Sequence, residues 1–160
     1  MLVPGKSGSG VTCTFGTGEI PVTRDIETKN LQLVQALFDA TGKGDWAAAE
    51  KMLTGDFFVT EAGTLPFAGT YRGRGALQEL FTLVMGAAGV TGIDMQQLTA
   101  GGDRVVALLE LVLGGPPEVR VPLAETFRVR DGKVCEICPY YFDPRPITAA
   151  VEARKRAAGS

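Results

Sequence analysis

The chain has 160 residues, of which 45% are hydrophobic and 21% are charged, and this balance predicts one globular domain with its own core. The 16 basic and 18 acidic residues leave a net charge of −2, with no basic patch of the kind that nucleic-acid-binding proteins carry. No apolar run is long enough to span a membrane and the first residues lack a signal-peptide core, so we expect a cytoplasmic protein.

The sequence contains no histidine. This absence excludes His-dependent serine and cysteine nucleophiles, the HExxH metalloprotease site and most zinc sites. Any acid–base chemistry must therefore use Asp, Glu, Tyr, Lys or Cys. Because no nucleotide-binding or metal-binding motif is present either, we expect chemistry without a cofactor or a metal.

Three cysteines, Cys13, Cys135 and Cys138, are too few for a disulfide scaffold. Cys135 and Cys138 form a CxxC pair, which is a spacing found in metal and redox sites. On a strand, however, residues three apart point to opposite faces, and no second pair would complete a four-ligand site. We interpret both as small buried hydrophobic residues.

The amino-terminal part predicts a flexible extension followed by helices. Residues 1–27 are rich in Gly, Ser and Thr and contain a strand-like segment at 11–15. A first helix is predicted to start at Thr28, as its cap, and to end at Gly42. The main domain is expected to cover residues 28–147.

The next segments alternate between helix and strand. Asp45 is predicted to cap a second helix over 46–53, which is followed by a strand over 56–62. A loop over 63–69 then leads to a third helix over 75–85.

The second half predicts consecutive antiparallel strands, separated by glycine-rich turns, over 93–99, Arg104–Leu113, Val119–Arg130 and 133–142. A short helix over 148–158 lies within the carboxy-terminal tail, 148–160. The strand Arg104–Leu113 is apolar on both faces apart from Glu110, so both faces need cover. Helices can cover one face, and a second subunit is the expected cover for the other. We therefore expect a homodimer.

Two strands place a glutamate within an apolar stripe. Glu125 follows Val121 and Leu123 on one face of its strand and precedes Phe127. Glu61 ends the stripe that Phe57 and Val59 begin on the strand 56–62. A carboxylate in such a place is unfavourable unless it is paired, hydrogen-bonded or neutral. Each glutamate is therefore either a buried structural group or part of a site.

Four short motifs carry a resemblance to a known family: Gly44-Asp45-Trp46, Asp56-Phe57-Phe58, the segment from Pro66 to Gly73, and the segment from Tyr141 to Pro144. Over residues 28–147 the chain resembles the nuclear-transport-factor-two-like superfamily, and within it the SnoaL-like polyketide cyclase group. The resemblance implies an α+β, cone-shaped fold, in which helices pack on a strongly curved, mostly antiparallel sheet that encloses an apolar pocket. It also implies a homodimer formed through the outer face of the sheet.

The resemblance suggests roles for several positions. The general base of ketosteroid isomerases corresponds to Glu61, and their second carboxylic acid corresponds to Glu125 in Glu125-Thr126-Phe127. Their helix-one tyrosine falls near Leu37, which cannot donate a hydrogen bond. The donor is therefore assigned to Tyr140. The groups that the family's epoxide hydrolases and scytalone dehydratases need are absent, so those two activities are disfavoured.

We therefore predict a cofactor-independent acid/base enzyme of the polyketide cyclase, isomerase or lyase type, acting on a hydrophobic cyclic or ring-forming carbonyl compound. The predicted catalytic residues are Glu61, Glu125 and Tyr140. The predicted substrate-binding residues are Trp46, Phe67, Tyr71, Phe81, Met85, Glu110 and Tyr141. Two alternatives remain: a non-catalytic module that binds a small molecule in the same pocket, and a dimerisation domain whose core is filled.

Overall fold

A computed structural model describes residues 24–159, so the strand-like segment predicted at 11–15 lies outside the described residues. The described chain forms, in order, α1 (Arg24–Gly42), α2 (Trp46–Lys51), β1 (Leu53–Glu61), β2 (Gly69–Arg72), α3 (Ala76–Ala88), β3 (Val90–Gly101), β4 (Arg104–Leu113), β5 (Val119–Arg130), β6 (Lys133–Tyr141) and α4 (Arg145–Ala158). None of these helices is long and apolar enough to cross a membrane.

The six strands form one sheet in the order β2-β1-β6-β5-β4-β3. Neighbouring strands are antiparallel except β1 and β6, which are parallel. Register shifts interrupt the pairing of β1 with β6, β3 with β4 and β5 with β6, and bulges of this kind bend strands. This arrangement confirms the predicted α+β fold with a curved, mostly antiparallel sheet.

The predicted helix caps differ in outcome. Asp45 caps α2 as expected, because its side chain accepts a hydrogen bond from the backbone N–H of Ala48 at 3.0 Å. Thr28 does not cap α1, which begins four residues earlier at Arg24. The Thr28 hydroxyl instead donates to the carbonyl oxygen of Arg24 at 2.9 Å, one turn back in the same helix.

The strand β2 was not predicted from the sequence. It is an edge strand of 4 residues in which only Tyr71 is partly buried, so it has no alternating apolar pattern to identify it. Tyr71 fixes the preceding loop by donating its hydroxyl to the carbonyl oxygen of Phe67 at 2.8 Å.

The core lies between the helices and one face of the sheet, here called the inner face, which carries Leu109, Leu123 and Phe127. The opposite, outer face carries Leu108 and Arg120. Strict alternation along β4 and β5 produces these two faces, as the sequence predicted. The largest fully buried side chains in the described part of the chain are Phe57, Phe127, Leu53, Ile137, Ile147, Val34, Val59, Val105, Val121 and Val134.

A buried polar contact ties α1 to the turn between β3 and β4. Asn30, only 6% exposed, donates its side-chain amide to the carbonyl oxygen of Gly102 at 3.0 Å. The N–H of Gly102 donates to a carboxylate oxygen of Glu27 at 3.1 Å. Gly102 has a φ of +60°, a conformation that glycine adopts without strain. These two bonds fix the position of α1 across the inner face.

We predict that Asn30→Ala destabilises the protein by about 1–2 kcal/mol, because the carbonyl of Gly102 loses its buried donor. Urea unfolding would measure this change in the free energy of unfolding. Gln35→Ala is the matched control, since Gln35 makes only an exposed bond to Asp39 within α1. Its expected effect is below about 0.5 kcal/mol. Equal losses in the two variants would contradict a structural role for the tether.

Candidate functional site

A cavity of about 90 Å³, here called the first cavity, lies between α3 and the inner face of the sheet. Its wall is apolar, with side chains that include Val59, Leu80, Leu109 and Leu123. Three polar side chains interrupt this wall: Glu61, Glu125 and Tyr141. An open space at this place does not favour the alternative of a dimerisation domain with a filled core.

The parallel pairing of β1 with β6 brings the two glutamates into one row. Val59 lies beside Ile137 in this pairing, so Glu61 follows beside Pro139 two residues later. Pro139 in turn pairs with Glu125 on β5. Glu61 and Glu125 therefore sit on the same face with one strand between them, and their Cα atoms are about 10 Å apart, two strand spacings.

Glu61 is a buried, hydrogen-bonded carboxylate. Its side chain is 7% exposed, and the Tyr141 hydroxyl donates to its two oxygens at 3.2 and 3.5 Å. Loss of hydration raises the pKa of Glu61 to about 7, although the bonds from Tyr141 and from the backbone of Ala62 oppose this shift. Glu61 can therefore exchange a proton near neutral pH.

Glu125 lies in the same wall without a hydrogen-bond partner among residues 24–159. Burial raises the pKa of Glu125 to about 8, and the nearby negative charge of Glu61 adds to the increase. Glu125 is therefore mostly protonated at neutral pH, and its carboxyl O–H points to no protein acceptor in the described chain.

The hydroxyl of Tyr141 interacts electrostatically with the carboxyl groups of both Glu61 and Glu125. Burial raises the pKa of its hydroxyl well above the ordinary value, and the charges of Glu61 and Glu125 raise it further. Tyr141 therefore remains a protonated hydrogen-bond donor throughout the neutral range.

Tyr140 does not line the first cavity, contrary to its predicted role as the catalytic donor. It pairs with Ala124 on the outer face and is 61% exposed. The reason is a bulge in β6. The turn pairs Arg130 with Lys133, and an uninterrupted hairpin would continue until Tyr140 faced Leu123. A one-residue register shift next to Arg128 instead places Tyr141 opposite Leu123.

Glu110, predicted to bind substrate, also lies outside the cavity. It is on the outer face of β4, where Arg120 forms ion pairs with Glu110 at 3.1 Å and with Asp94 at 2.8 Å. A third carboxylate, Glu118, contacts the same guanidinium at 3.1 Å. This cluster lies on the outer face and does not reach the pocket.

The other predicted substrate-binding residues divide into two groups. Phe81 and Met85 line the first cavity directly. Trp46 packs edge-to-face on Phe81, with ring centroids 5.1 Å apart, so it supports the wall from behind. Phe67 and Tyr71 are joined to each other by their hydrogen bond and do not line the cavity.

The sequence did not single out Leu77 or Ile93 as site residues, although both line the cavity. Leu77 shares the helical phase of Leu80 and Phe81, and that periodicity could have identified it. Ile93 is 40% exposed, so no burial pattern marks it. Among residues 24–159, no three Cys, Asp or Glu side chains gather closely enough to hold a metal ion.

Comparison with known proteins agrees with this architecture. Residues 34–137 match the family model described as a SnoaL-like domain. The chain belongs to the SnoaL-like family. A search of curated proteins found no significant match.

Solved structures similar to this SnoaL-like protein share its fold. An NTF2-like protein from Burkholderia xenovorans LB400 is 25% identical with a TM-score of 0.66, covering 78% of this chain and 97% of its own. A putative SnoaL-like polyketide cyclase from Jannaschia sp. CCS1 is 21% identical with a TM-score of 0.66, covering 86% and 99%. TerC, co-crystallised with polyporic acid, is 17% identical with a TM-score of 0.65, covering 78% and 98%.

The raised pKa of Glu125 predicts a pH-dependent stability. Its folded value of about 8 exceeds the ordinary 4.5, so the folded state holds its proton more tightly than the unfolded state. The resulting stability is fully present below about pH 4.5 and is lost as the pH rises through about 8. We expect Glu125→Gln to unfold less readily than the native protein at about pH 9, by on the order of 3 kcal/mol, with little difference at about pH 5.

Urea unfolding at both pH values measures this difference. Glu110→Gln is the control, because Glu110 belongs to the exposed ion cluster and its substitution should give a small change that is similar at both pH values. If Glu125→Gln shifts stability equally at both pH values, Glu125 does not titrate as a desolvated group.

Proposed function

We propose that this SnoaL-like protein is a cofactor-independent acid/base enzyme that acts on a hydrophobic carbonyl compound by an isomerase, polyketide cyclase or lyase reaction. The observation that carries the proposal is the row formed by the Glu61–Tyr141 pair and the unpartnered Glu125 in one apolar wall. Such a wall gives two identical carboxyl groups different protonation states, which is what acid/base catalysis requires.

Glu61 is suited to be the base. It is ionised above about pH 7, and the Tyr141 hydroxyl holds its orientation by donating to it. A carboxylate with this pKa can remove a proton from a carbon next to a carbonyl group and return it afterwards. Because the surrounding wall is apolar, the carboxylate meets the substrate with few competing water molecules.

Glu125 is suited to be the acid. It is protonated below about pH 8 and has no acceptor among the described residues, so its O–H is available for the carbonyl oxygen of a substrate. As Glu61 takes the proton from carbon, negative charge develops on that oxygen and the bond from Glu125 strengthens. The enolate can then regain the proton at another carbon, or its carbon can attack a second carbonyl, whose oxygen receives the proton of Glu125.

The comparisons support a small organic ligand for this pocket. One protein of the same fold is named a putative polyketide cyclase, and TerC was co-crystallised with polyporic acid. The alternative is a non-catalytic binding module, which is favoured by one observation: Leu37 leaves α1 without a donor at the position where the ketosteroid isomerase resemblance implies a tyrosine. Such a module would bind ligand without turnover.

We predict that Glu61→Gln and Glu125→Gln each lower kcat on an accepted cyclic ketone or diketone by at least about 100-fold. Tyr141→Phe should lower kcat by about 10-fold or more, since Glu61 loses its positioning bond. Tyr140→Phe is the matched control and should retain native turnover, because Tyr140 lies on the outer face. Steady-state kinetics with a panel of such compounds would measure these effects.

The pH dependence of kcat/KM is a second test of the roles assigned to the two glutamates. Glu61 must be ionised and Glu125 protonated, so kcat/KM should be bell-shaped with its maximum between about 7 and about 8. Native turnover in both glutamine variants would refute the enzyme. Binding that survives both substitutions, without any turnover, would favour the binding module instead.

We also propose that the outer face pairs with the same face of a second copy. Leu108 is 43% exposed there, beside the partly buried Val106 and followed on the same face of β4 by Glu110 of the ion cluster. An exposed leucine of this kind, with charged groups beside it, suits a two-fold interface in which each copy presents the same surface.

Light scattering after size-exclusion chromatography is expected to give a dimer for the native protein and a monomer for Leu108→Asp, because the charge would be buried at the contact. Leu83→Asp is the control, since Leu83 is 41% exposed on α3 and lies away from the sheet face. A native monomer, or dissociation by both substitutions, would contradict this interface.

A further inference from the structure

A second cavity of about 80 Å³ adjoins the first and extends between α1 and the sheet. Phe38, Thr41 and Phe127 belong to its wall and not to that of the first cavity. Four residues line both cavities: Leu77, Phe81, Ile93 and Glu125. The two cavities are therefore adjacent, and these four side chains lie at the boundary between them.

Each of the two cavities is small for a cyclic ligand when it is considered alone. A buried apolar cavity that holds benzene measures about 150 Å³, and each of these spaces is smaller. Taken together they slightly exceed that size, so a compound with a second ring needs the side chains between them to move. Ile93, which is 40% exposed, lines both cavities.

The division between the cavities is made of side chains that can move. Leu77 and Phe81 lie one turn apart on α3, and both are partly buried or at the edge of the core. A rotamer change at either residue would join the two spaces without moving the backbone. Trp46, the single tryptophan of the chain, contacts Phe81 edge-to-face and would sense that change.

Glu125 fixes how a ligand would lie across both spaces. A ligand oxygen bound to its carboxyl group stands at the boundary, with the reacting carbon in the first cavity near Glu61. Any further ring then points into the second cavity, whose wall is apolar except for Glu125 and Thr41. The Thr41 hydroxyl already donates to the carbonyl oxygen of Phe38 at 3.1 Å, so it can only accept a hydrogen bond from a ligand.

We propose that the second cavity is a subsite for a second ring, so that the protein selects elongated two-ring carbonyl compounds over single-ring ones. The proposal rests on the proposed function for the carbonyl group that meets Glu125. Specificity is then set by the side chains that line the second cavity and not the first, chiefly Thr41 on α1.

The test compares two probes, phenol and 4-phenylphenol, whose oxygen takes the place of the enolate oxygen. Calorimetry gives the Kd of each, and the emission of Trp46 reports displacement of Phe81. For the native protein, 4-phenylphenol should bind at least about 10-fold more tightly than phenol, because its second ring buries additional apolar surface. Only 4-phenylphenol should change the Trp46 emission.

Thr41→Phe fills the second cavity from a partly exposed position. It should remove the preference for 4-phenylphenol and change the Kd of phenol by less than about twofold, since Thr41 does not line the first cavity. Thr41→Leu is a smaller change and should cause an intermediate loss of the preference for 4-phenylphenol. It takes the place of Thr41→Phe in the experiment if that variant folds poorly. Met85→Phe is the matched control, because it fills the first cavity and should weaken both probes.

Equal binding of the two probes to the native protein, or equal effects of Thr41→Phe on both, would overturn the subsite. These binding experiments do not depend on turnover. Selective loss of 4-phenylphenol together with native turnover in the glutamine variants would refute the proposed enzyme and retain the subsite. If both probes bind equally well and the glutamine variants are inactive, the subsite is refuted and the proposed enzyme is retained.

Discussion

The energetic constraint behind this structure is the removal of two carboxyl groups from water within one apolar wall. Glu61 is 7% exposed and Glu125 faces cavities lined mainly by leucine, valine and phenylalanine. The hydrophobic core around them must offset this penalty, and neutralisation reduces it, because a protonated carboxyl is far easier to bury than a carboxylate. Proton uptake by the folded protein is therefore a direct consequence of where the sheet places these residues.

The topology of the sheet creates that placement. Glu61 and Glu125 are far apart in the sequence, and only the parallel insertion of β1 beside β6 brings them into one row. The helices complete the arrangement from the other side, since α3 closes the first cavity and α1 closes the second. The tether from Asn30 to Gly102 holds α1 in this position, so a polar contact remote from the carboxyl groups helps to shape the pocket.

Local patterns in the sequence were sufficient for much of this fold. Alternation along β4 and β5 predicted which face is buried and put Glu125 on it, and the capping residue Asp45 predicted the start of α2. The position of Tyr141 could not be predicted in this way. It depends on Cys135, which has no partner in the register of β5 with β6, and a single unpaired residue exchanges the two faces of the strand beyond it. The second cavity also escaped prediction, because it results from packing between α1, α3 and the sheet.

The same bulge contributes to the chemical difference between the two glutamates. Both lose hydration, but only Glu61 receives a hydrogen bond from Tyr141, and that bond lowers its pKa relative to a carboxyl that lacks one. Without the extra residue, the regular register would turn Tyr141 to the outer face and leave Glu61 without this donor. Cys135, whose thiol donates to the carbonyl oxygen of Arg128 at 3.5 Å, therefore acts through the register of the strand. One member of the CxxC pair, Cys135, is thus the bulge residue that turns Tyr141 toward Glu61, while Cys138 keeps its regular pairing with Thr126.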